Sequence, residues 1–501
     1  MNFTALAFFI GIVLVTLAIT YWASRKNVSV SSHYVANKQI KPWQNGLAIA
    51  GDYISAATVL GATGAIALSG FGGFYLAIGV PISYALLLLV LAEPMRGLGK
   101  YTMADVVTMR FNSTDIRALT AVSSIIITVA YMVAQFLGAG VIIASLLGIN
   151  YTVSVIIIGV LMTLYVALGG MLATTWIQIL QMALLGAGLI ILVFLTLARF
   201  DFNPLAVFGE AVETYGAGTV APSPEGLVAG LENVSLSLAL AIGLLGLPHI
   251  LIRFLTVSDA RAARNSALVA TWTFTLFYIL LPIIGYGALV LVGREAIVAA
   301  SAGGNLTVIQ LAELLGGNVL LAYISAAAFI AIMASLAGMS IAASGAFAHD
   351  LYTNVFRRGE ASEDEQHRAA RIAAVAIPAA ALLLALGARD LNVAFLAVVS
   401  FAIAASTNLP ILLLTVFWRR FNVVGAITGM ATGLLVSVSL VAVSPSVMGE
   451  DAIFPLTNPA LVCVPIGFVA TYLGTVLGRR RQDDKEQDEA RFREIRVRAN
   501  T

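Results

Sequence analysis

The chain has 501 residues, of which 60% are hydrophobic and only 11% charged, with a net charge of +2 at pH 7 and a mean hydropathy of +0.95. So few polar side chains cannot cover the surface of a soluble domain, so the composition describes a polytopic membrane protein. Near-neutral charge without a basic tract gives no basis for a nucleic-acid partner, and the single Cys463 excludes an internal disulfide framework or a cysteine metal cluster. The four histidines (His33, His249, His349, His367) are widely spaced and show no metal-ligand pattern.

Apolar runs long enough to cross a bilayer fall at about 3–22, 44–70, 73–94, 117–148, 152–171, 175–198, 233–256, 266–292, 318–347, 369–388, 391–417, 423–444 and 459–478. The N-terminus lacks a basic segment ahead of the first run and a small-residue cleavage site, so this run reads as a retained span. The second, PWQNGLAIAGDYISAATVLGATGAIALSG over 42–70, carries Asp52 in its interior. At 1.5 Å per residue Asp52 lies roughly 15 Å along the span, near the middle of a ~30 Å hydrocarbon layer. An acid there costs roughly 2.5–3.5 kcal/mol on insertion scales and requires a partner, a proton or a water-filled cavity. Gly46, Gly51, Gly61, Gly64 and Gly70, with the hydroxyls of Ser55, Thr58 and Thr63, suit a helix that breaks at mid-membrane and offers backbone groups to a ligand.

Further along, Tyr131 and Gln135 stand at an i, i+4 spacing in an otherwise apolar span. The loop 199–232 is rich in acids (Asp201, Glu210, Glu213, Glu225, Glu232) and is expected either as an external cover or as a solvated loop. The seventh span, LENVSLSLALAIGLLGLPHILIRFLTV at 231–257, is interrupted by Gly243, Gly246 and Pro248. The stretch 304–315 is expected as a surface helix, and the mixed-charge end 479–501 as a helical or disordered tail.

Lysine and arginine test this thirteen-span arrangement. With the N-terminus outside, the basic residues gather on cytoplasmic segments: Arg25, Lys26, Lys38 and Lys41; Arg96, Lys100, Arg110 and Arg117; Arg253, Arg261 and Arg264; Arg357, Arg358, Arg368 and Arg371; Arg419 and Arg420; and the tail. Only Arg199, Arg294 and Arg389 remain outside. A wrong count would scramble that alternation. Spans two to six and seven to eleven then form two five-helix halves of opposite orientation, 42–198 and 233–420, each opening on an interrupted span. That pairing points to a transporter site at mid-membrane, although glycines that merely permit close helix packing produce a similar pattern. Residues 1–41 precede the halves, 199–232 join them, and 421–478 add two helices before the tail 479–501. No Lys or Arg is expected at mid-membrane.

The segments HYVANKQIKPWQNGLAIAGDYISAATVLGATGAIALSGFGGF, AEPMRGLGKYTMADVVTMRF, GGMLATTWIQILQ, GLPHILIRFLTV and SLAGMSIAASGAFAHDLY together resemble the sodium:solute symporter family, and within it the cation/acetate symporters. The resemblance implies an all-α leucine-transporter-like fold of five plus five inverted helices with one span before the core and two after. It implies a multi-pass protein of the cell's inner (plasma) membrane that imports acetate or a similar short monocarboxylate with sodium entry, the alternatives being proton coupling or sodium symport of another small solute such as proline, a sugar or pantothenate. No enzyme activity and no organic cofactor are expected, and a monomer suffices while the oligomeric state stays open. The family's sodium site maps onto Gly51 and Ile54 in the second span and Ala331, Ala334 and Ser335 in the ninth.

Two departures matter: many relatives have a second hydroxyl where this chain has Ala334, and several have an acid where it has Gln178. Asp52 is accordingly a carboxylate supporting a sodium ion, a proton carrier in its own right, or a structural acid. Substrate contacts are expected from Ser55, Ala57 and Thr58 at the start of the outer half-helix, from Tyr131 and Gln135, and from Ser406 and Asn408. Tyr53, Phe401 and Arg253 are expected as gates, with core packing as the alternative for the two aromatics and Arg253 snorkelling or pairing with an acid at the inner gate. No nucleophile–base or metal cluster supports a membrane-embedded enzyme.

Overall fold

The computed structural model describes residues 3–25, 29–55, 57–168, 170–222, 226–388, 391–478 and 482–499. Lys26, Ala56, Glu225, Arg389 and residues 479–481 lie outside them, as does the side chain of Ala57. The described chain is helical throughout: α1 (Phe3–Ser24), α2 (Pro42–Tyr53), α3 (Thr63–Ser69), α4 (Phe71–Val90), α5 (Met103–Phe111), α6 (Thr114–Leu147), α7 (Tyr151–Leu168) and α8 (Met171–Leu197) come first. They are followed by α9 (Leu227–Gly243), α10 (Ala260–Leu291), α11 (Thr307–Gly345), α12 (Glu363–Ala385), α13 (Val393–Phe417), α14 (Val423–Ala442), α15 (Ala460–Leu477) and α16 (Gln482–Arg498). Among the described residues ten helices are long and apolar enough to cross a membrane, or eleven with a bent pair counted as one span; the shorter apolar helices Ile10–Ser24 and Tyr151–Thr163 fall where the first and fifth spans are expected.

Both interrupted spans are broken. α2 ends at Ile54, whose ψ of 84° leaves the helical region; a π-helical turn over Ala57–Ala62 leads into α3, and the halves are bent by 55°. A break strands the carbonyls of the last turn, and the glycines let neighbouring backbones approach to satisfy them. α9 gives way to a 3₁₀ turn at Leu244–Gly246, then to extended Leu247 (φ −76°, ψ 118°) and a short helix from Pro248. Pro248, lacking an N–H, can only start the new segment. Asn45 ties the broken elements together: its Nδ2 donates to the Arg253 carbonyl at 3.0 Å and its Oδ1 accepts from Thr256 Oγ1 at 3.1 Å.

Other expectations resolve locally. The surface stretch near 304–315 is continuous with α11 across a kink at Gly317 (φ 59°), and its Val308, Leu311 and Ala312 are buried. Within 199–232 a helix over Pro204–Tyr215 buries Val207 and Ala211, and the Thr219 carbonyl accepts from Tyr286 Oη at 2.8 Å. The tail helix α16 docks on α5: Ile495 is buried, and Arg491 Nη1 donates to the Arg110 carbonyl at 3.3 Å.

Arg110 itself is fully buried and caps the end of α13. Its Nη1 donates to the carbonyls of Leu414, Thr415 and Trp418 at 3.2, 2.7 and 3.0 Å, and its Nη2 to those of Arg419 and Phe421, both at 2.9 Å. Charged donors at a helix C-terminus satisfy stranded carbonyls and oppose the helix dipole. Arg110→Ala should therefore lower unfolding stability by at least about 3 kcal/mol, read as the shift in the denaturation midpoint of the purified protein. A shift equivalent to less than about 1 kcal/mol would contradict this capping role.

Candidate functional site

Asp52 is completely buried at the end of α2. Its carboxylate is not alone: Arg253 Nε lies 3.4 Å from Asp52 Oδ2. The expectation of no arginine at mid-membrane is therefore corrected. Arg253 starts one turn beyond the second break, but its long side chain reaches back to the first, where Nη1 also donates to Thr175 Oγ1 at 3.1 Å. A buried acid and a buried base offset each other's charge, which answers the expense of placing either in an apolar medium. Among the described residues Asp52 Oδ1 and Arg253 Nη2 have no hydrogen-bond partner, so the pair retains capacity for a further ligand.

The carboxylate rests against α11. A Cβ on Gly338 would lie 2.7 Å from Asp52 Oδ1, so any larger residue there would push the carboxylate from this position. One turn earlier, Ser335 Oγ donates to the backbone carbonyl of Asp52 at 2.7 Å. Ser335 is thus brought to the break, and Ala331 and Ala334, both buried, precede it on the same helix. On the other side α8 closes in: a Cβ on Gly51 would lie 2.8 Å from the Gln178 carbonyl oxygen. Gln181, one turn along, donates through Nε2 to the carbonyls of both Gly51 and Ile54. Gln178 is buried with both amide atoms unpartnered among the described residues.

Tyr131 and Gln135 on α6 bridge the two breaks. Gln135 Nε2 donates to Ser55 Oγ at 3.0 Å at the first break. The Tyr131 ring lies 5.2 Å from the His249 ring, next to the second break, and 5.5 Å from Phe401. The Tyr131 hydroxyl approaches Ser55 without completing a well-formed hydrogen bond. Gln135 Oε1 and both ring nitrogens of His249 are buried without partners among the described residues. Such a concentration of unsatisfied buried groups is costly unless a ligand or water takes them up. Thr58 Oγ1 spans the first break to the Tyr53 carbonyl at 3.0 Å.

Aromatic side chains wall this region. Tyr53 has its ring centroid 5.4 Å from Phe274, 5.9 Å from Phe401 and 6.0 Å from Tyr84, and Tyr84 stacks on Phe274 at 3.9 Å. Tyr53 and Phe401, expected as gates, therefore meet, and a narrow cleft lies among Tyr53, Thr58, Leu240, Tyr278, Ala397 and Phe401. Tyr84, His249, Phe274 and Gln181 were not expected at the site.

Of two further expected contacts, Ser406 is held within its own helix and Asn408 supports one of the breaks. Ser406 Oγ donates to the Ile403 carbonyl at 3.1 Å within its own helix, and its backbone faces Gly433 and Gly467 of the last helix pair; helix back-bonding satisfies a hydroxyl without any ligand. Asn408 serves the second break as a strut: Nδ2 donates to the Gly246 carbonyl at 2.9 Å while Oδ1 accepts from Ser123 Oγ at 2.7 Å.

Asp105, His349 and Asp350 also converge, with ligand atoms within 4.8 Å of one another. A guanidinium already fills that space, since Arg117 Nη1 lies 2.9 Å from Asp105 Oδ1 and 2.8 Å from Asp350 Oδ1. Burial works to raise Asp105, but the His349 hydrogen bond and the Arg117 charge outweigh it and hold the carboxyl well below its usual range. This is an ion-pair lock that ties α5 and α6 to the π-helical turn Ala346–Phe356, not a metal centre.

The geometry has counterparts among known proteins. A chain from Bacillus subtilis (strain 168), named an uncharacterized symporter YwcA, is 47% identical over 512 residues, covering 100% of this chain and 99% of that protein. A Na+-coupled sialic acid symporter in a substrate-bound, outward-open state superimposes with a TM-score of 0.74 over 94% of this chain and 98% of its own, at 15% identity. Mhp1, a nucleobase-cation-symport-1 family transporter in a closed conformation with bromovinylhydantoin bound, gives a TM-score of 0.56 over 93% of this chain and 99% of its own, at 14% identity. At such identities the last two likenesses speak for the fold, which is that of the leucine-transporter-like carriers. The description of the sodium:solute symporter family matches residues 33–433, and this chain, a multi-pass membrane protein of the plasma membrane, belongs to that family of transporters.

Proposed function

We propose that the chain imports acetate or a similar short monocarboxylate by sodium-coupled alternating access, one copy of the chain being sufficient. The observation that carries this reading is the meeting of the two broken helices at Asp52–Arg253, with Tyr131 and Gln135 spanning both breaks among buried, unsatisfied polar groups. Breaks of this kind supply backbone carbonyls for a cation and N–H groups for an anion side by side.

The sodium ion takes oxygen ligands from Gly51, Ile54, Ala331 and Ser335, with Asp52 as the nearby negative charge and Ala334 contributing only its backbone. The carboxylate of the substrate sits at the N-terminal end of the outer half-helix, near Ser55 and Thr58, held by helix N–H groups, Gln135 and Tyr131. His249 joins these contacts, and Arg253 adds positive potential. The aromatic wall suits a short apolar tail and leaves little room for a longer one. In this scheme 42–198 and 233–420 are the two inverted halves, the N-terminus faces outside and the C-terminus the cytoplasm.

The test is uptake of labelled acetate into proteoliposomes under an inward sodium gradient, competed with propionate, pyruvate, proline and glucose. Competition by the short monocarboxylates alone is expected; competition by proline or glucose in their place would overturn the substrate assignment. Ser335→Ala should raise the half-saturating sodium concentration at least about tenfold, the loss of one charge-assisted oxygen contact. An unchanged sodium requirement would displace the cation from this position. A second reading, proton-coupled symport with Asp52 as carrier, is favoured by the buried and unpartnered Asp52 Oδ1. It predicts uptake driven by an inward proton gradient without sodium.

A further inference from the structure

Gln181 belongs to none of the positions that the family resemblance assigns to cation or substrate. It is completely buried, and its Nε2 donates to the carbonyls of Gly51 and Ile54. Those are the two backbone oxygens of the first broken helix that the sodium reading above assigns to the cation. Resting on that reading, we propose that the Gln181 carboxamide is the alternate occupant of the cation position: it holds the two carbonyls when the cation leaves, and turns its own oxygen to the cation when the cation arrives.

The chemistry of the amide supports both roles. Its orientation is set by its partners, because the reverse arrangement would press Oε1 against two carbonyl oxygens. Oε1 itself has no hydrogen-bond partner among the described residues, so a rotation about the last side-chain torsion loses nothing there. The rotated amide offers an oxygen, the ligand type sodium prefers, and so stands in for the hydroxyl absent at Ala334.

The carbonyls of a broken helix buried away from water need a donor whenever no cation is present. A glutamine meets that need without bringing charge, unlike a lysine or arginine at the same place. Positive charge therefore enters and leaves with the cation alone. The close approach of Gly51 to the Gln178 backbone keeps α8 near enough for Gln181 to reach both oxygens. The amide thereby stabilises the arrangement from which the carrier returns without its load.

The experiment compares two modes in proteoliposomes containing the full chain. Net uptake of labelled acetate requires return of the unloaded carrier; exchange of internal for external acetate at saturating sodium on both sides does not. Gln181→Leu removes the competitor and the ligand together, so its mark is on the cycle: net uptake should fall at least tenfold relative to exchange. Gln181→Glu keeps the shape and an oxygen but no N–H donor. It should lower the half-saturating sodium concentration at least threefold while slowing net uptake relative to exchange.

If the unaltered protein is sodium-dependent and both variants keep its ratio of net uptake to exchange, the inference is overturned and the sodium reading stands. Uptake by the unaltered protein that ignores sodium overturns the sodium reading and this inference with it.

Discussion

Asp52→Asn should reduce sodium-driven uptake by at least about 100-fold, the scale of removing a buried charge from a coupled site. The side chain stays the same size, so the loss would not arise from a cavity. What changes is charge: Arg253 would remain buried, within reach of an amide in place of a carboxylate. Breaking one half of a buried ion pair costs about 3–5 kcal/mol, so the single variant should also unfold at lower temperature. The double variant Asp52→Asn with Arg253→Gln removes both charges and should recover most of that stability while remaining inactive. This separates the pair's part in the fold from its part in transport. A double variant that regained transport would make the pair structural only; a single variant with near-normal uptake would remove Asp52 from the coupling step.

Gly51→Ala is the second large effect. The added Cβ would stand 2.8 Å from the Gln178 carbonyl oxygen and 3.0 Å from the Gln178 Cβ. Backbone on one side and the root of a side chain on the other give little room to yield. Overpacking of this sort costs about 1–3 kcal/mol, and relief means moving α8 away from α2. That movement withdraws Gln181 from the Gly51 and Ile54 carbonyls. Uptake at limiting sodium should fall at least about tenfold, roughly what 1.4 kcal/mol at the cation site would produce. Gly209→Ala, where a Cβ would meet nothing within 4 Å, is the control and should leave uptake unchanged. Equal effects of the two substitutions would show that close approach at Gly51 is not what matters.

Much of this arrangement was legible in the amino-acid order. Asp52 stood out because an acid in an apolar run is expensive, and the glycines and Pro248 announced where the two helices break. Tyr131 and Gln135 were legible from their i, i+4 spacing, which puts both on one face. The reach of Arg253 was not. Its position in the chain suggests the end of a span, and only the folded geometry shows its guanidinium extending back to Asp52.

Gln181 was hidden by Gln178, which drew attention as the replacement for an acid. The i, i+3 spacing of the two amides beside a glycine of the broken span was the available signal. Tyr84 and Phe274 read simply as apolar helix residues, because periodicity reports burial and not what lies across the cavity. Ser406 shows the converse, since a lone hydroxyl in an apolar helix can be satisfied by its own backbone and its spacing does not tell that from a ligand contact.

The most direct measurement is the initial rate of labelled acetate uptake into proteoliposomes with sodium and proton gradients imposed independently. Sodium-coupled symport through the Asp52–Arg253 break requires uptake above equilibrium under an inward sodium gradient at equal pH, abolished by Asp52→Asn. Accumulation driven by the proton gradient alone, or uptake indifferent to both gradients, would contradict it.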